Sequence, residues 1–394
     1  MTVTVDDVRS SVLSAVDAAA ERLTGLSRRL HAHPEVAWEE EHAASWLCQE
    51  LDALGLAVEA GVCDLPTAFH ARTGSGPLHL AVCAEYDALP GVGHACGHNL
   101  IAATAVGAAA ALGPLADTLG VTLHVLGTPA EEGAGGKITM LERGGFAGVH
   151  AAVMAHPGPF DVARSRPFAV SHLAVAYDGV SSHAAAYPEL GVNAADAVTV
   201  AQVAIGLLRQ QLPASVRTHG IVTHGGDAPN IIPSRAEGHW YVRADSLAEL
   251  DDVEQKVRRC FQAGAVATGC ALDVELTGPR YAELRTDQDL LDRYAAHAMG
   301  LGRTFHDDDP RSAMSRASTD MGNVSQVLPA IHPYFGIGSW PHVNHQPEFA
   351  AATLRPEAES SMLQATTALS LALADAALSP DVRSRLMDGG AHDA

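Results

Sequence analysis

The sequence predicts an α/β protein: a mostly parallel sheet with flanking helices, interrupted by an inserted α+β domain of ferredoxin-like order. Three patterns predict it. Strand-like and helix-like segments alternate between residues 57 and 154. From 168 to 277 the order becomes strand, helix, strand, strand, helix, strand. From Asp287 the first rhythm resumes. The expected organisation is therefore a main domain at 1–167 and 279–394, with an insert at 168–278.

Residues 6–30 place Val8, Val12, Val16, Ala19, Leu23, Leu26 and Leu30 at helical spacing. Pro34 pushes His33 out of the α region and should stop that helix. A second helix covers 41–54 and closes near Gly55. Strands follow at 57–59, 68–71 and 78–83, then a Pro/Gly-rich loop and a helix at 100–112. A strand at 121–126, a helix at 135–143 and a short buried strand at 151–154 complete the first part. Within the insert, strands are expected at 168–177, 216–223, 236–243 and 271–277, and helices at 193–212 and 247–263. Beyond it come a helix at 290–299, one buried strand at 330–336 and a closing helix at 356–378. The polar segment 381–394 is expected to be a frayed tail.

The 394 residues are 47% hydrophobic, enough for two cores. A net charge of -21 argues against nucleic acid and anionic membrane surfaces as partners. The first residues lack a basic and an apolar region, so no secretory signal is expected. The apolar run 101–112 is too short to span a bilayer. Six cysteines without scaffold spacing suit a reduced, cytoplasmic protein. The 21 histidines, several in Gly/Pro-rich turns, favour metal chemistry.

The chemistry concentrates in 82–99, which carries Glu85, Asp87, His94, Cys96 and His98 where a strand runs into a helix. Strand ends are where α/β sheets bind ligands. In Cys96-Gly97-His98 a thiol and an imidazole can face one ion. A Cys–His nucleophile pair is the rival, and a buried Cys beside a surface His is the plain alternative. Glu131 and Glu132 follow the next strand, and one can bind metal while the other acts as general base. An acidic turn is the alternative. His156 follows a third strand and could equally be a turn histidine. In 341–349, His345 is the better candidate because Pro347 and Phe349 would fix its loop, with His342 as competitor. Cys96, His98, Glu132, His156 and His345 exceed one tetrahedral ion, so two metals sharing a ligand are implied.

At these residues the chain resembles the dinuclear-metal aminoacylase/carboxypeptidase family, which also contains carnosinase-like dipeptidases. The resemblance is to its branch of auxin-conjugate and aminobenzoyl-glutamate hydrolases. It rests on 31–35 (His-Ala-His-Pro-Glu), 87–90 (Asp-Ala-Leu-Pro), 94–99 (His-Ala-Cys-Gly-His-Asn), 131–133 (Glu-Glu-Gly), 182–184 (Ser-His-Ala), 230–233 (Asn-Ile-Ile-Pro) and 345–349 (His-Gln-Pro-Glu-Phe). The form Ala-Glu-Tyr-Asp-Ala-Leu-Pro at 84–90 is most similar to the subgroup cleaving β-alanyl-lysine-type dipeptides.

The resemblance implies a zinc-peptidase-like main domain and an inserted lid and dimerisation domain. It implies Cys96 as bridging ligand, His98 and His156 on one metal, Glu132 and His345 on the other, and Glu131 as general base. Asp87 would orient a ligand. His183 would stabilise the oxyanion from across a homodimer, and Asn230 and Arg243 would hold the substrate's carboxylate. The ions would be two divalent metals, zinc or manganese. Many relatives of this branch carry Asp where this chain has Asn99. Relatives outside it have His-x-Asp and a bridging Asp, where this chain has Glu85 and Cys96. The expected activity is hydrolysis of a dipeptide or N-acyl amino acid. An aminobenzoyl-glutamate-type hydrolase, a cysteine amidase and a catalytically inactive binding protein are the alternatives.

Overall fold

Helix α1 (Val5–Ala32) buries Val8, Val12, Val16, Leu23, Leu26 and Leu30 along one stripe, and it ends two residues before Pro34. The structure, a computed structural model, describes residues 5–389. The chain divides into two units, Met1–Arg166 with Leu284–Ala394, and Pro167–Glu283.

After α1 the larger unit runs α2 (Glu41–Ala53), β1 (Ala57–Ala60), β2 (Phe69–Thr73), β3 (Leu78–Ala84), α3 (His98–Leu112), α4 (Ala116–Leu119) and β4 (Val121–Gly127). Then come the turn α5 (Glu131–Ala134), α6 (Gly136–Glu142), β5 (Ala151–Val153) and β6 (His156–Gly158).

The smaller unit holds β7 (Ala169–Asp178), α7 (Ala194–Leu208), β8 (Arg217–His224), β9 (Arg235–Ala244), α8 (Leu247–Thr268) and β10 (Ala271–Leu276). Its sheet has the order β10-β7-β9-β8, with every pairing antiparallel. One core is shared by the sheet, α7 and α8, with Leu173, Trp240, Ile205 and Phe261 at its centre. Asn193 caps α7 by accepting from the N–H of Ala195 at 3.0 Å, and Ser246 caps α8. Helix α7 stops at Leu208, short of the expected 212; a tighter turn at Arg209–Gln211 ends it before Pro213. The unit reaches Glu283 rather than 278, because Tyr281 bridges to Val170.

The larger unit resumes with α9 (Gln288–Gly300), α10 (Met321–Ser325), β11 (Ala330–Ile331), β12 (Tyr334–Gly336), α11 (Pro347–Ala352), α12 (Pro356–Leu378) and α13 (Pro380–Met387). Its main sheet has the order β1-β2-β4-β3-β5-β11. The pairs β3/β4, β3/β5 and β5/β11 are parallel, and β1/β2 and β2/β4 are antiparallel. The central strands are covered on both faces, which explains their unbroken apolar character. Leu80, Val82, Leu123 and Val125 face the core built with α1, α3 and α12. Ala81, Cys83 and Leu126 face a smaller core with Met140, Met321 and Val324.

Three further expectations change. The strand expected at 330–336 is two strands in different sheets: β11 pairs with β5, while β12 pairs with β6. Pro333 falls at the break, where it has no N–H to donate. The tail expected to fray from 381 instead continues as α13, with Val382 and Leu386 buried and Arg383 donating to the carbonyl of Gly120 at 2.7 Å. Residues 390–394 lie outside the described residues. Finally, His98–Leu119 and Pro356–Leu378 are both long and apolar enough to cross a membrane by length and composition. In each, 78% of the most apolar window is buried inside the protein, as in a core helix.

Candidate metal centre and catalytic site

Strand β3 delivers the chain into a loop, 85–97, buried at both ends and exposed at its Pro90–Gly91 tip, that ends at the first turn of α3. Glu85, Asp87, His94, Cys96 and His98 are all buried there. Gly97 has a φ of +82°, and a Cβ on it would lie 2.4 Å from Pro157 Cγ. Only glycine lets the loop pass so close to β6. Strand β4 ends at Gly127, and Ala130, at a φ of +58°, turns the chain into Glu131 and Glu132. His156 opens β6. His345, at a φ of +71°, is tied in by its N–H donating to the carbonyl of Ala95 at 2.8 Å. Asn344 adds a second tie, donating to the carbonyls of Cys96 and Pro157 at 3.3 Å each.

These loops create two triads of potential ligands that share Cys96: Cys96, His98 and His156, and Cys96, Glu132 and His345. Within each, the ligand atoms lie within 4.8 Å of one another. Cys96 Sγ is 3.6 Å from His156 Nε2, and His345 Nε2 is 3.6 Å from Glu132 Oε1. Glu85, His98 and Glu131 form a third such group, with Glu85 Oε2 3.5 Å and Glu131 Oε2 3.9 Å from His98 Nε2. His342 joins none of these groups.

The ligand orientations are fixed from behind. His98 Nδ1–H donates to Asp87 Oδ1 at 3.0 Å, and the N–H of Glu132 donates to Asp87 Oδ2 at 3.0 Å. His156 Nδ1–H donates to the carbonyl of Pro157 at 2.7 Å, leaving its Nε2 lone pair toward Cys96. Meanwhile His98 Nε2, Glu85 Oε2 and Glu132 Oε1 are buried with no hydrogen-bond partner. Buried polar atoms are rarely left so, and three converging orphans beside a thiol fit a divalent cation.

The electrostatics agree. Burial, then the Glu132 carboxylate, push the Cys96 thiol well up. A cation would be needed to make it a thiolate, which weakens the nucleophile alternative. Burial and the neighbouring His332 hold His156 neutral, the form that ligates. Burial opposes protonation of His98, but Asp87 overcomes it and raises its pKa well above the ordinary value. Burial and then Glu85 raise Glu131 well above an ordinary carboxyl, and burial raises Glu132. Such a cluster of acids is costly without positive charge nearby.

Four residues that the sequence left unassigned surround this cluster. Lys137 is fully buried, ion-paired to Glu85 and, at 2.7 Å, to Asp320 Oδ1. A lone lysine in an otherwise Gly-rich and apolar stretch was its only signal. His332 lies with its ring centroid 5.4 Å from that of His156, and Asn344 braces Cys96. Nothing in the local sequence marked His332, and Asn344 stood beside the candidate His345 without a role of its own. Glu40, in a run of acids, gave no signal at all. Asn99 lies elsewhere: it is buried, donating to Ser27 Oγ at 2.9 Å, which makes it a packing residue of α3 and α1.

In the smaller unit, His183 and Asn230 lie on adjoining backbone, the N–H of Ala184 donating to the carbonyl of Asn230 at 2.9 Å. Both side chains are exposed. His183 Nδ1 accepts from the N–H groups of Ala185 and Ala186. Arg243 stands on β9, paired with Val170 and Arg217, its guanidinium 5.8 Å from the Tyr241 ring.

Residues 81–369 match the family described as Peptidase family M20/M25/M40. The Xaa-Arg dipeptidase of Mus musculus is 42% identical over 380 residues, covering 93% of this chain and 88% of that protein. One component of the p-aminobenzoyl-glutamate hydrolase of Escherichia coli (strain K12) is 32% identical over 275 residues, covering 64% and 57%. A dinuclear metal binding peptidase of Bacillus subtilis, from the M20 family, superposes with a TM-score of 0.71 at 22% identity, covering 91% and 99%. With two triads of potential ligands sharing a thiol beside the Glu131–Glu132 carboxylate pair, the chain belongs to peptidase family M20/M25/M40 and is a metal-dependent amide hydrolase.

Proposed function

We propose that the substrate is a dipeptide with a basic C-terminal residue, and that two ions, zinc or manganese, are held by Cys96, His98, Glu132, His156 and His345. The sharing of Cys96 by two triads is the observation that carries this reading. The Cys96 thiol favours zinc, the softer ion. The Xaa-Arg dipeptidase relative supports the substrate class.

When bound, the metal pair supplies a Lewis acid for the scissile carbonyl and eases ionisation of the attacking water. Glu131 takes a proton from that water and returns it to the leaving amine nitrogen. Asp87 keeps His98 Nε2 and the Glu132 backbone aimed by holding one with each oxygen. His183 steadies the oxyanion, serving the other subunit of a homodimer, and Asn230 and Arg243 bind the substrate's carboxylate. The family resemblance supports these three roles. We place the enzyme in the cytoplasm, with no membrane or nucleic-acid partner, as its acidity and six unpaired cysteines suggest.

The test is turnover of metal-loaded protein on Xaa-Arg and β-alanyl-lysine dipeptides, N-acyl amino acids and aminobenzoyl-glutamate. The dipeptides should give the highest kcat/KM, and Glu131→Gln should abolish turnover with metal content intact. Preference for aminobenzoyl-glutamate would overturn the substrate class. Turnover that survives a chelator and fails on thiol alkylation would overturn the metal mechanism. Light scattering showing a fully active monomer would remove the role of His183 across a dimer.

A further inference from the structure

The segment 35–42 begins at the last residue of the 31–35 motif, and the ligand set leaves it without a role. Part of it is local: Glu35 caps α2, Oε1 accepting the N–H of His42 at 3.0 Å and Oε2 that of Ala43 at 2.8 Å. Glu40 does something else. Its side chain is buried, and its Oε1 accepts two backbone N–H groups, from Trp38 at 3.0 Å and from Ala130 at 2.8 Å. Both donors are non-glycine residues in the left-handed region, Trp38 at +70° and Ala130 at +58°. An alanine does not stay there unless its surroundings over-determine it. Ala130 immediately precedes Glu131.

The same turn is held at two later points. Asp87 accepts the N–H of Glu132, and Asp320 accepts that of Lys137 at 2.9 Å. Three buried carboxylates thus pin three backbone N–H groups of the 130–137 segment, those of Ala130, Glu132 and Lys137, and Glu40 has the one upstream of the general base. Without it, Ala130 would relax to negative φ and rotate the peptide that carries Glu131.

We propose that Glu40 is a positioning residue that aims Glu131 by holding Ala130 in its left-handed conformation. This rests on the reading of Glu131 as general base. Glu40→Gln keeps the accepting oxygen at the same reach without the charge, whereas Glu40→Asp keeps the charge and withdraws the oxygen by one methylene. Positioning predicts that Gln retains kcat within about threefold and that Asp lowers it by roughly tenfold to a hundredfold, since small misplacements carry such costs. KM and bound metal should stay within about twofold of the parent in both. Ala130→Gly, placed in the Glu40→Asp background, should recover part of kcat because glycine holds this φ unaided.

The reverse order, with Asp active and Gln impaired, would assign Glu40 an electrostatic role and overturn the proposal. So would parental kcat in both variants, or loss of activity that tracks loss of metal. The Glu131→Gln control separates the two readings: turnover surviving there defeats the role of Glu131, while dead Glu131→Gln with an unaffected Glu40→Asp defeats Glu40 alone.

Discussion

Asp87 holds His98 and, with its other oxygen, the backbone of Glu132: Oδ1 lies 3.0 Å from His98 Nδ1, and Oδ2 accepts the Glu132 N–H at 3.0 Å. One buried carboxylate therefore orients a candidate ligand of each triad. Partners of this kind govern metal affinity nearly as much as the ligands do. Asp87→Ala should weaken metal binding roughly 10- to 100-fold, for both ions rather than one. Metal titration by calorimetry checks this, and loss confined to a single site would refute the shared role.

Metal removal should destabilise the fold, since the candidate ligands His98 and Glu132 have buried atoms without a hydrogen-bond partner. A ligand at 100 times its Kd adds about 2.7 kcal/mol. Chelation should therefore lower Tm measurably, and re-addition of zinc or manganese should restore it. An unchanged Tm after verified depletion would contradict the site.

Gly97→Ala should be among the most damaging small substitutions in the molecule. It combines a φ of +82° with a Cβ 2.4 Å from Pro157 Cγ. Backbone strain of this kind costs on the order of 1–3 kcal/mol before the clash is added. The expected result is a lowered denaturation midpoint together with lost metal, because Cys96 and His98 flank the residue. Calorimetric melting and metal analysis of the purified variant read the two effects separately.

Lys137→Met should cost about 3–5 kcal/mol, the usual penalty for removing one partner of a buried ion pair. Lys137 is fully buried and compensates Glu85 and Asp320 together. Denaturant unfolding measures the loss. The double variant Lys137→Met with Asp320→Asn should recover part of it, and a double variant no better than the single would speak against charge compensation.

Acid stability should depend on a row of imidazoles across the sheet. His70 Nε2 lies 2.7 Å from His124 Nδ1, and His124 Nε2 lies 3.0 Å from His79 Nδ1. Burial, then His70 and His79, push His124 down to about 3. The folded state thus resists a proton that the unfolded chain accepts near the ordinary value of 6.5. Stability present above 6.5 is lost as pH falls toward 3, by at most about 1.4 kcal/mol per pH unit from this group. His124→Phe should flatten that decline, as followed by unfolding at pH 7, 6 and 5. An identical slope in the variant would exclude His124 as its source.

Sequence by itself determined much of this protein, because the relevant signals are local. The period of Val8 to Leu30 specified α1, and Pro34 its end. The strand–loop boundaries at Ala84 and Gly127 put the 85–98 loop and Glu131–Glu132 at neighbouring strand ends. The motif residues were legible as candidates one loop at a time.

Tertiary structure alone decided what depends on distance between segments. Which histidine of 341–349 meets Glu132 follows from His345 docking on Ala95, a contact between distant parts of the chain that no periodicity encodes. Lys137 was an ordinary-looking cation until Glu85 and Asp320 closed on it, and Pro333 cut one expected strand into two sheets. Glu40 shows the physical reason most plainly. A carboxylate's partner is chosen by where the backbone N–H of Ala130 lies after folding, and that position is a property of the packed chain rather than of either residue's neighbours in sequence.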